Sequence, residues 1–171
     1  YATMKGTPIT LVGMERKVGE VAPDVTLLKG MAPYKLLSET AGKIVVISAV
    51  PSLDTPVCEL QTKTFNDEIK KLSDNQIQLI TVSMDLPFAQ ARFCGAHDPK
   101  LFVLSDHKDG AFGKAYGVLI KERRLLARSV FVVDAQGKIA YTEYLTEMAK
   151  QPNYEEALKA VKQLLSNMSN K

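Results

Sequence analysis

The sequence predicts an α/β fold with a central mixed sheet flanked by helices, and three observations carry that prediction. Residues 43–50 and 77–84 are nearly continuous in apolar and β-branched side chains, the pattern of strands covered on both faces. The stretch between them has helical periodicity, as the connection between neighbouring strands of an α/β sheet does. Near the C-terminus, strand candidates at 128–133 and 138–144 are joined by Asp134-Ala135-Gln136-Gly137, a hairpin turn signal, and an amphipathic helix follows.

Taken in chain order, residues 9–12 and 16–18 read as short strands around Gly13-Met14-Glu15, an N-terminal β-hairpin. Pro23-Asp24 leads into a strand at 25–28, and 29–34 reads as a loop punctuated by Gly30 and Pro33. After the strand at 43–50, Pro51-Ser52-Leu53-Asp54 is a breaker and a helix starts. Val57, Leu60, Phe65, Ile69 and Leu72 share one side of its 3.6-residue period, with Lys70 and Lys71 near the end where the dipole favours cations. Asp85 and Pro87 open a second helix, which Gly95 is expected to stop. A short strand at 101–104 and a short helix at 110–116 precede the hairpin. Tyr154, Ala157, Leu158, Val161, Leu164 and Leu165 make the closing helix, with a polar tail after it. This order of strands and helices is that of a thioredoxin-like fold in a single domain, 1–171.

At 171 residues, with 46% apolar and 24% charged side chains, the chain has the length and composition of one globular domain and is too apolar for disorder. A net charge of +3 is too small to predict nucleic-acid binding. No run of about 18 apolar residues would span a membrane. Lys5, Glu15, Arg16 and Lys17 interrupt any apolar signal segment, so a reducing, cytoplasmic setting is expected. Tyr1 in first place reads as a trimmed or added start and carries no weight. The two cysteines admit four roles: inert core residues, a structural bridge, metal ligands or a redox pair. In a reducing setting a disulfide is more often transient than structural.

Thr55 suits an N-cap and Pro56 the first helical position, which puts Cys58 in the first turn. The N–H groups there lack intrahelical partners and the dipole is positive, so a thiolate is stabilised. From the residues alone, Cys58 is either a packed core thiol or a nucleophile at the end of a sheet, a usual ligand position in α/β folds. Arg128 alternates with Val130 and Val132 on an apolar face, where a guanidinium needs an anion. Arg123 and Arg124 compete with it for that role.

Pro51, Thr55 and Cys58 match Pro-x-x-x-Thr-x-x-Cys, and the wider string Ser52-Leu53-Asp54-Thr55-Pro56-Val57-Cys58 resembles the bacterial thiol peroxidases, an atypical two-cysteine subfamily of the peroxiredoxins. The resemblance extends over nearly the whole chain and includes Arg92-Phe93-Cys94-Gly95 and the strand beginning at Arg128. It implies that Cys58 attacks the terminal oxygen of a hydroperoxide and becomes a sulfenic acid. It also implies that the Thr55 hydroxyl contacts thiolate and peroxide, that Pro51 shields the pocket from water, and that Arg128 pairs with thiolate and peroxide. Arg123 and Arg124 then read as solvated surface charges.

On the same resemblance Cys94 is the resolving cysteine, forming a Cys58–Cys94 disulfide in the oxidised protein. No cysteine follows Arg128, and Lys63 stands five residues after Cys58, so the resolving positions of two other subfamilies are not cysteine. Both cysteines occupy helix ends, and their Cα atoms must come within about 7 Å to bond, so the last turn of one helix and the first of the other are expected to open. Thioredoxin is the implied reductant, a homodimer the implied assembly, and no flavin, haem or metal is required. The Gly-Gly-Leu-Gly motif tied to overoxidation sensitivity is absent. Three rival readings are weaker. A metal site would use Cys94, His97, His107 and Cys58 without the usual two close ligand pairs. A cysteine hydrolase would depend on His97 or His107, both in polar loop-like stretches. A non-enzymatic thioredoxin-like redox-sensing or binding module would not need Cys58 for peroxide consumption.

Overall fold

The computed structural model describes residues 2–72 and 75–169; Tyr1 and the last two residues of the expected polar tail lie outside them. In chain order the strands and helices are β1 (Ala2–Met4), β2 (Thr7–Ile9), β3 (Leu11–Val12), β4 (Thr26–Lys29), β5 (Ala32–Lys35), β6 (Ile44–Ala49), α1 (Pro56–Leu72), β7 (Ile77–Ser83), α2 (Pro87–His97), β8 (Val103–Ser105), α3 (Ala111–Tyr116), β9 (Leu119–Ile120), β10 (Leu125–Leu126), β11 (Ser129–Val133), β12 (Ile139–Tyr144) and α4 (Tyr154–Ser169). Seven strands make one mixed sheet in the order β12-β11-β6-β7-β8-β4-β5. β6, β7 and β8 run parallel, and β11 joins β6 antiparallel with Ser129 opposite Ala49. That register brings the start of β11 and the end of β6 to the same edge of the sheet, where α1 also begins.

Every residue of β6 is buried, because its two faces feed different layers. Val45, Ile47 and Ala49 pack with Phe112, Tyr116 and Phe131, whereas Ile44 and Val46 pack with Phe65, Val130, Val132, Ala157 and Val161 beneath α1 and α4. Phe65 meets the Tyr154 ring edge-on with centroids 5.0 Å apart, joining the two helices over the sheet.

The structure corrects several expectations. The N-terminal hairpin is β1–β2, turning at Lys5-Gly6, both with positive φ (50° and 81°); it is not formed by 9–12 and 16–18. Leu11 and Val12 pair with β9, a partner that no local pattern signals. At Gly13 (φ 95°) a Cβ would stand 2.2 Å from the Lys114 carbonyl oxygen. The chain therefore passes against α3 rather than folding back, and Arg16 Nε donates to the Ala115 carbonyl (2.7 Å). The loop expected at 29–34 contains β5, with Pro33 on the outermost strand of the sheet, where a missing N–H is tolerated.

Two helix details also differ. Leu60 is 52% exposed, and the buried stripe of α1 is Cys58, Gln61, Thr62 and Phe65. Apolar spacing pointed one residue away because two polar residues face the sheet. Gly95 does not end α2, which runs to His97 and stops at Asp98 in an extended conformation (φ −157°). Asp98 accepts from Asn66 and Lys70 of α1, so a tertiary contact sets that end. α4 continues to Ser169, past Leu165.

Because Phe65 is fully buried between sheet and helices, Phe65→Ala is expected to cost about 3–5 kcal/mol. Urea denaturation of the two proteins measures this as a lower midpoint.

Candidate active site

β6 ends at Ala49, and a short loop carries the chain into α1. Asp85, just after β7, holds that loop. Its carboxylate accepts from the Ser52 hydroxyl (2.7 Å), the Leu53 N–H (2.8 Å) and the Ser83 hydroxyl (2.7 Å). Pro51 is buried beside it. Pro56 occupies the first helical position, and the Thr55 carbonyl accepts the first intrahelical bond, from Glu59 N–H (2.9 Å). The Thr55 hydroxyl does not cap the helix: it donates to the Ser52 carbonyl (3.0 Å). Thr55 itself is exposed.

Cys58 lies in the first turn and is only 1% exposed. Arg128, immediately before β11, is 2% exposed and reaches it across the end of the sheet. Its Nη2 donates to Cys58 Sγ at 3.3 Å, its Nη1 to Gln61 Oε1 at 2.9 Å, and its Nε to the Met148 carbonyl at 2.8 Å. The backbone N–H of Arg128 also donates to Met148 Sδ (3.1 Å). Arg123 and Arg124 are exposed, which separates them from Arg128. A guanidinium stays charged at any accessible pH, and the α1 dipole adds positive potential at the same point. The arrangement suits a sulfur anion.

Cys94 belongs to α2 and is half-buried; both cysteines are free thiols. Val50, Leu53, Cys58 and Val103 form a small apolar cluster against which Phe93, Cys94 and Leu101 pack. The environments of the two sulfurs differ. Burial, and then the charge of Asp98, push the Cys94 thiol up from its ordinary value, and its Sγ faces the Leu101 carbonyl at 3.9 Å. Cys94 is thus held as a thiol, whereas Cys58 faces a fixed cation. A groove of about 560 Å³ opens alongside, lined by Leu53, Phe88, Arg92, Phe93 and His97 among others. The His97 ring packs against Phe93 at a tilt of 44° (centroids 4.3 Å apart), with Nε2 3.7 Å from Glu59 Oε1.

The sequence profile of the Redoxin family matches residues 17–158. The chain is 53% identical over 164 residues to the thiol peroxidase of Bacillus subtilis (strain 168), covering 95% of this chain and 97% of that protein. This chain belongs to the thiol peroxidases of the Redoxin family. It is 52% identical over 161 residues to the thiol peroxidase of Listeria monocytogenes serovar 1/2a, covering 94% and 96% of the two chains. Among solved structures, a peroxiredoxin-like protein from Aquifex aeolicus superposes with a TM-score of 0.85 at 40% identity, covering 95% and 96%. The chain is a thiol peroxidase, an oxidoreductase of the peroxiredoxin type, built on the thioredoxin-like fold that its element order predicts.

Of the residues singled out in this thiol peroxidase sequence, Cys58 and Arg128 are in direct contact, Pro51 is buried in the loop before α1, and Cys94 packs against the apolar cluster that includes Cys58. Thr55 is one turn away, its hydroxyl engaged elsewhere. Sequence reading missed Gln61, Met148 and the role of Asp85. Gln61 could have been found as a polar residue one helical turn from Cys58; Met148 and the anchoring by Asp85 follow only from long-range contacts. Among the described residues no group of three or more His, Cys, Asp or Glu could hold a metal, and no helix is long and apolar enough to cross a membrane.

The end of α2 that bears Cys94 is tied to α1 through Asp98, whose carboxylate accepts from Lys70 Nζ (2.5 Å), Asn66 Nδ2 (3.1 Å) and Lys100 N–H (2.9 Å). The Lys70 hydrogen bond first, then those of Lys100 and Asn66, hold Asp98 down at about 2. A carboxyl depressed in the folded state stabilises it above the ordinary carboxylate value near 4 and loses that contribution as pH falls through its folded value. Asp98→Ala is therefore expected to speed hydrogen exchange over 94–97 and alkylation of Cys94 several-fold at neutral pH. Wild type should loosen in the same way only as pH falls towards 2.

Proposed function

We propose that the protein reduces hydrogen peroxide and organic hydroperoxides through Cys58, with Cys94 as the resolving thiol. The contact between Arg128 Nη2 and Cys58 Sγ (3.3 Å) at the start of α1 is the observation that carries this reading. The Cys58 thiolate attacks the terminal oxygen of ROOH along the O–O axis. The S–O bond forms as the O–O bond breaks, and the departing alkoxide takes a proton to leave as alcohol, or as water when R is hydrogen. Negative charge moves onto the leaving oxygen, where fixed donors lower the barrier. Arg128 supplies such donors, and Thr55 joins them when its hydroxyl turns away from the Ser52 carbonyl. Pro51 keeps water from the sulfur.

The Cys94 sulfur then attacks the Cys58 sulfenic acid, forming the Cys58–Cys94 disulfide and releasing water. Both sulfurs already border one apolar cluster, and both occupy helix ends, which open at low cost. Opening the last turn of α2 together with the first turn of α1 brings them to bonding distance. A dithiol protein, by resemblance thioredoxin, reduces the disulfide by exchange. The electrons pass through sulfur alone, so the cycle needs no cofactor. A transient disulfide suits the reducing cytoplasm, and the family resemblance supports a homodimer built from a single domain per chain.

Stopped-flow peroxide consumption with thioredoxin and its reductase tests the cycle. Cys58→Ser is expected to abolish turnover. Cys94→Ser should yield one sulfenic acid per chain and then stall, and Arg128→Lys should slow the first step about a hundredfold. Full peroxide consumption by the Cys58→Ser protein would remove Cys58 from the reaction and the reading with it.

A further inference from the structure

His97, in the last turn of α2, stands three residues after Cys94. Its Nε2 lies 3.7 Å from Oε1 of Glu59, the residue that follows Cys58 in the first turn of α1. Glu59 also bonds Lys63 Nζ (2.9 Å). That hydrogen bond first, with the charges of Lys63 and His97 behind it, holds the Glu59 carboxyl below its ordinary range. The His97–Glu59 contact joins the turn that bears one sulfur to the turn that bears the other. Asp98, by contrast, fastens α2 to Asn66 and Lys70, farther along α1.

We propose that His97 and Glu59 are positioning residues for the resolving step: their contact clasps the last turn of α2 to the first turn of α1, and the clasp tightens when His97 takes up a proton. As a role in the reaction, it rests on the two-cysteine reading above.

Consecutive helical side chains point about 100° apart, so Glu59 and the buried Cys58 face different ways on their turn. His97 rides on the same turn as Cys94, and the opening that delivers Cys94 to Cys58 carries His97 off Glu59. A neutral imidazole at this distance makes a weak dipolar contact with a carboxylate, whereas an imidazolium makes an ion pair. Imidazole gains its charge as pH falls through about 6.5, so the closed turns gain stability below that pH and lose it above. The other charged groups around the pair are Lys63 on α1, Asp98 at the end of α2, and Asp54, Asp85 and Arg92 along the groove. Carboxylates, lysine and arginine keep their charge between about pH 5.5 and 8, and burial pushes the Cys94 thiol up. The imidazole is what changes in that interval.

Closure matters because the Cys58 sulfenic acid has two fates. Cys94 attacks its sulfur, the S–S bond forming as the S–O bond breaks, and the hydroxyl leaves with the thiol proton as water. Alternatively, a second hydroperoxide passes its terminal oxygen to that sulfur, giving the sulfinic acid and releasing alcohol or water. Only the first fate needs open turns, so a tighter clasp sends more sulfenic acid to the second.

The test compares wild type with His97→Phe, which keeps a ring against Phe93 and removes the charge, and with Glu59→Gln, which keeps the shape. Amide hydrogen exchange over 94–97 reads opening in the reduced protein, without peroxide. Mass spectrometry reads the sulfinic acid formed on Cys58 per turnover with thioredoxin and its reductase. Comparing the proteins at one pH cancels the pH dependence of exchange itself and of the Cys94 thiol. At about pH 5.5 both variants are expected to exchange about threefold faster than wild type and to form about threefold less sulfinic acid, the size of a partly exposed ion pair. At about pH 8 all three should agree. A difference equal at both pH values would reduce the pair to packing and overturn the proposal, as would no difference at either. If none of the proteins forms a Cys58–Cys94 disulfide, the two-cysteine reading fails, while the exchange rates still decide whether the clasp exists.

Discussion

The structure depends on a cation that cannot discharge being held inside the protein. Burying a guanidinium costs several kcal/mol unless each face of it is answered, and three groups from two elements answer the one at Arg128. The segment after β12 offers the Met148 carbonyl, α1 offers Gln61 Oε1, and the first turn of α1 offers the Cys58 sulfur. Two of these partners are neutral oxygens. The third is the Cys58 sulfur, 3.3 Å from Nη2. The buried charge and the Cys58 sulfur are parts of one electrostatic arrangement.

The sheet makes this meeting possible. β6 ends and β11 begins at the same edge because the two strands run antiparallel, with Ser129 beside Ala49. α1 starts at that edge because it follows β6 through a loop that Asp85 pins from the neighbouring parallel strand. A one-residue slip between β6 and β11 would turn the side chains of β11 to the opposite face. The apolar alternation of Val130 and Val132 over α4 and α1 thus secures a polar contact several residues away.

The second sulfur is held by looser means. The beginning of α2 is anchored by Gln90, which donates to the Leu104 carbonyl (2.9 Å) and the Ser83 hydroxyl (3.0 Å). Its far end, with Cys94, is fastened by Asp98, which accepts from Lys70 and Asn66 of α1, and by Phe93 and Cys94 packing against the apolar cluster of Val50, Leu53, Cys58 and Val103. The ion pair with exposed Lys70 contributes little to stability, so part of what fastens the turn that moves in the proposed cycle gives way at low cost.

Much of this was legible in the residues. β-branched runs at 43–50 and 77–84 require strands buried on both faces, and helical spacing between them requires a crossover, because each apolar face must find cover. Pro56 at the first helical position places Cys58 in a first turn by local backbone preference, although the Thr55 hydroxyl does not cap that turn. Tertiary structure decided everything that depended on partners distant in sequence: Leu11 pairing with Ile120, Pro33 lying in an outer strand, and Asp98 ending α2 in place of Gly95. It also decided which of three arginines is buried, and why Gln61 faces inward while Leu60 is exposed. Local spacing specifies which faces a segment has, but a buried charge selects its partners only when distant strands and helices have brought them within hydrogen-bond reach.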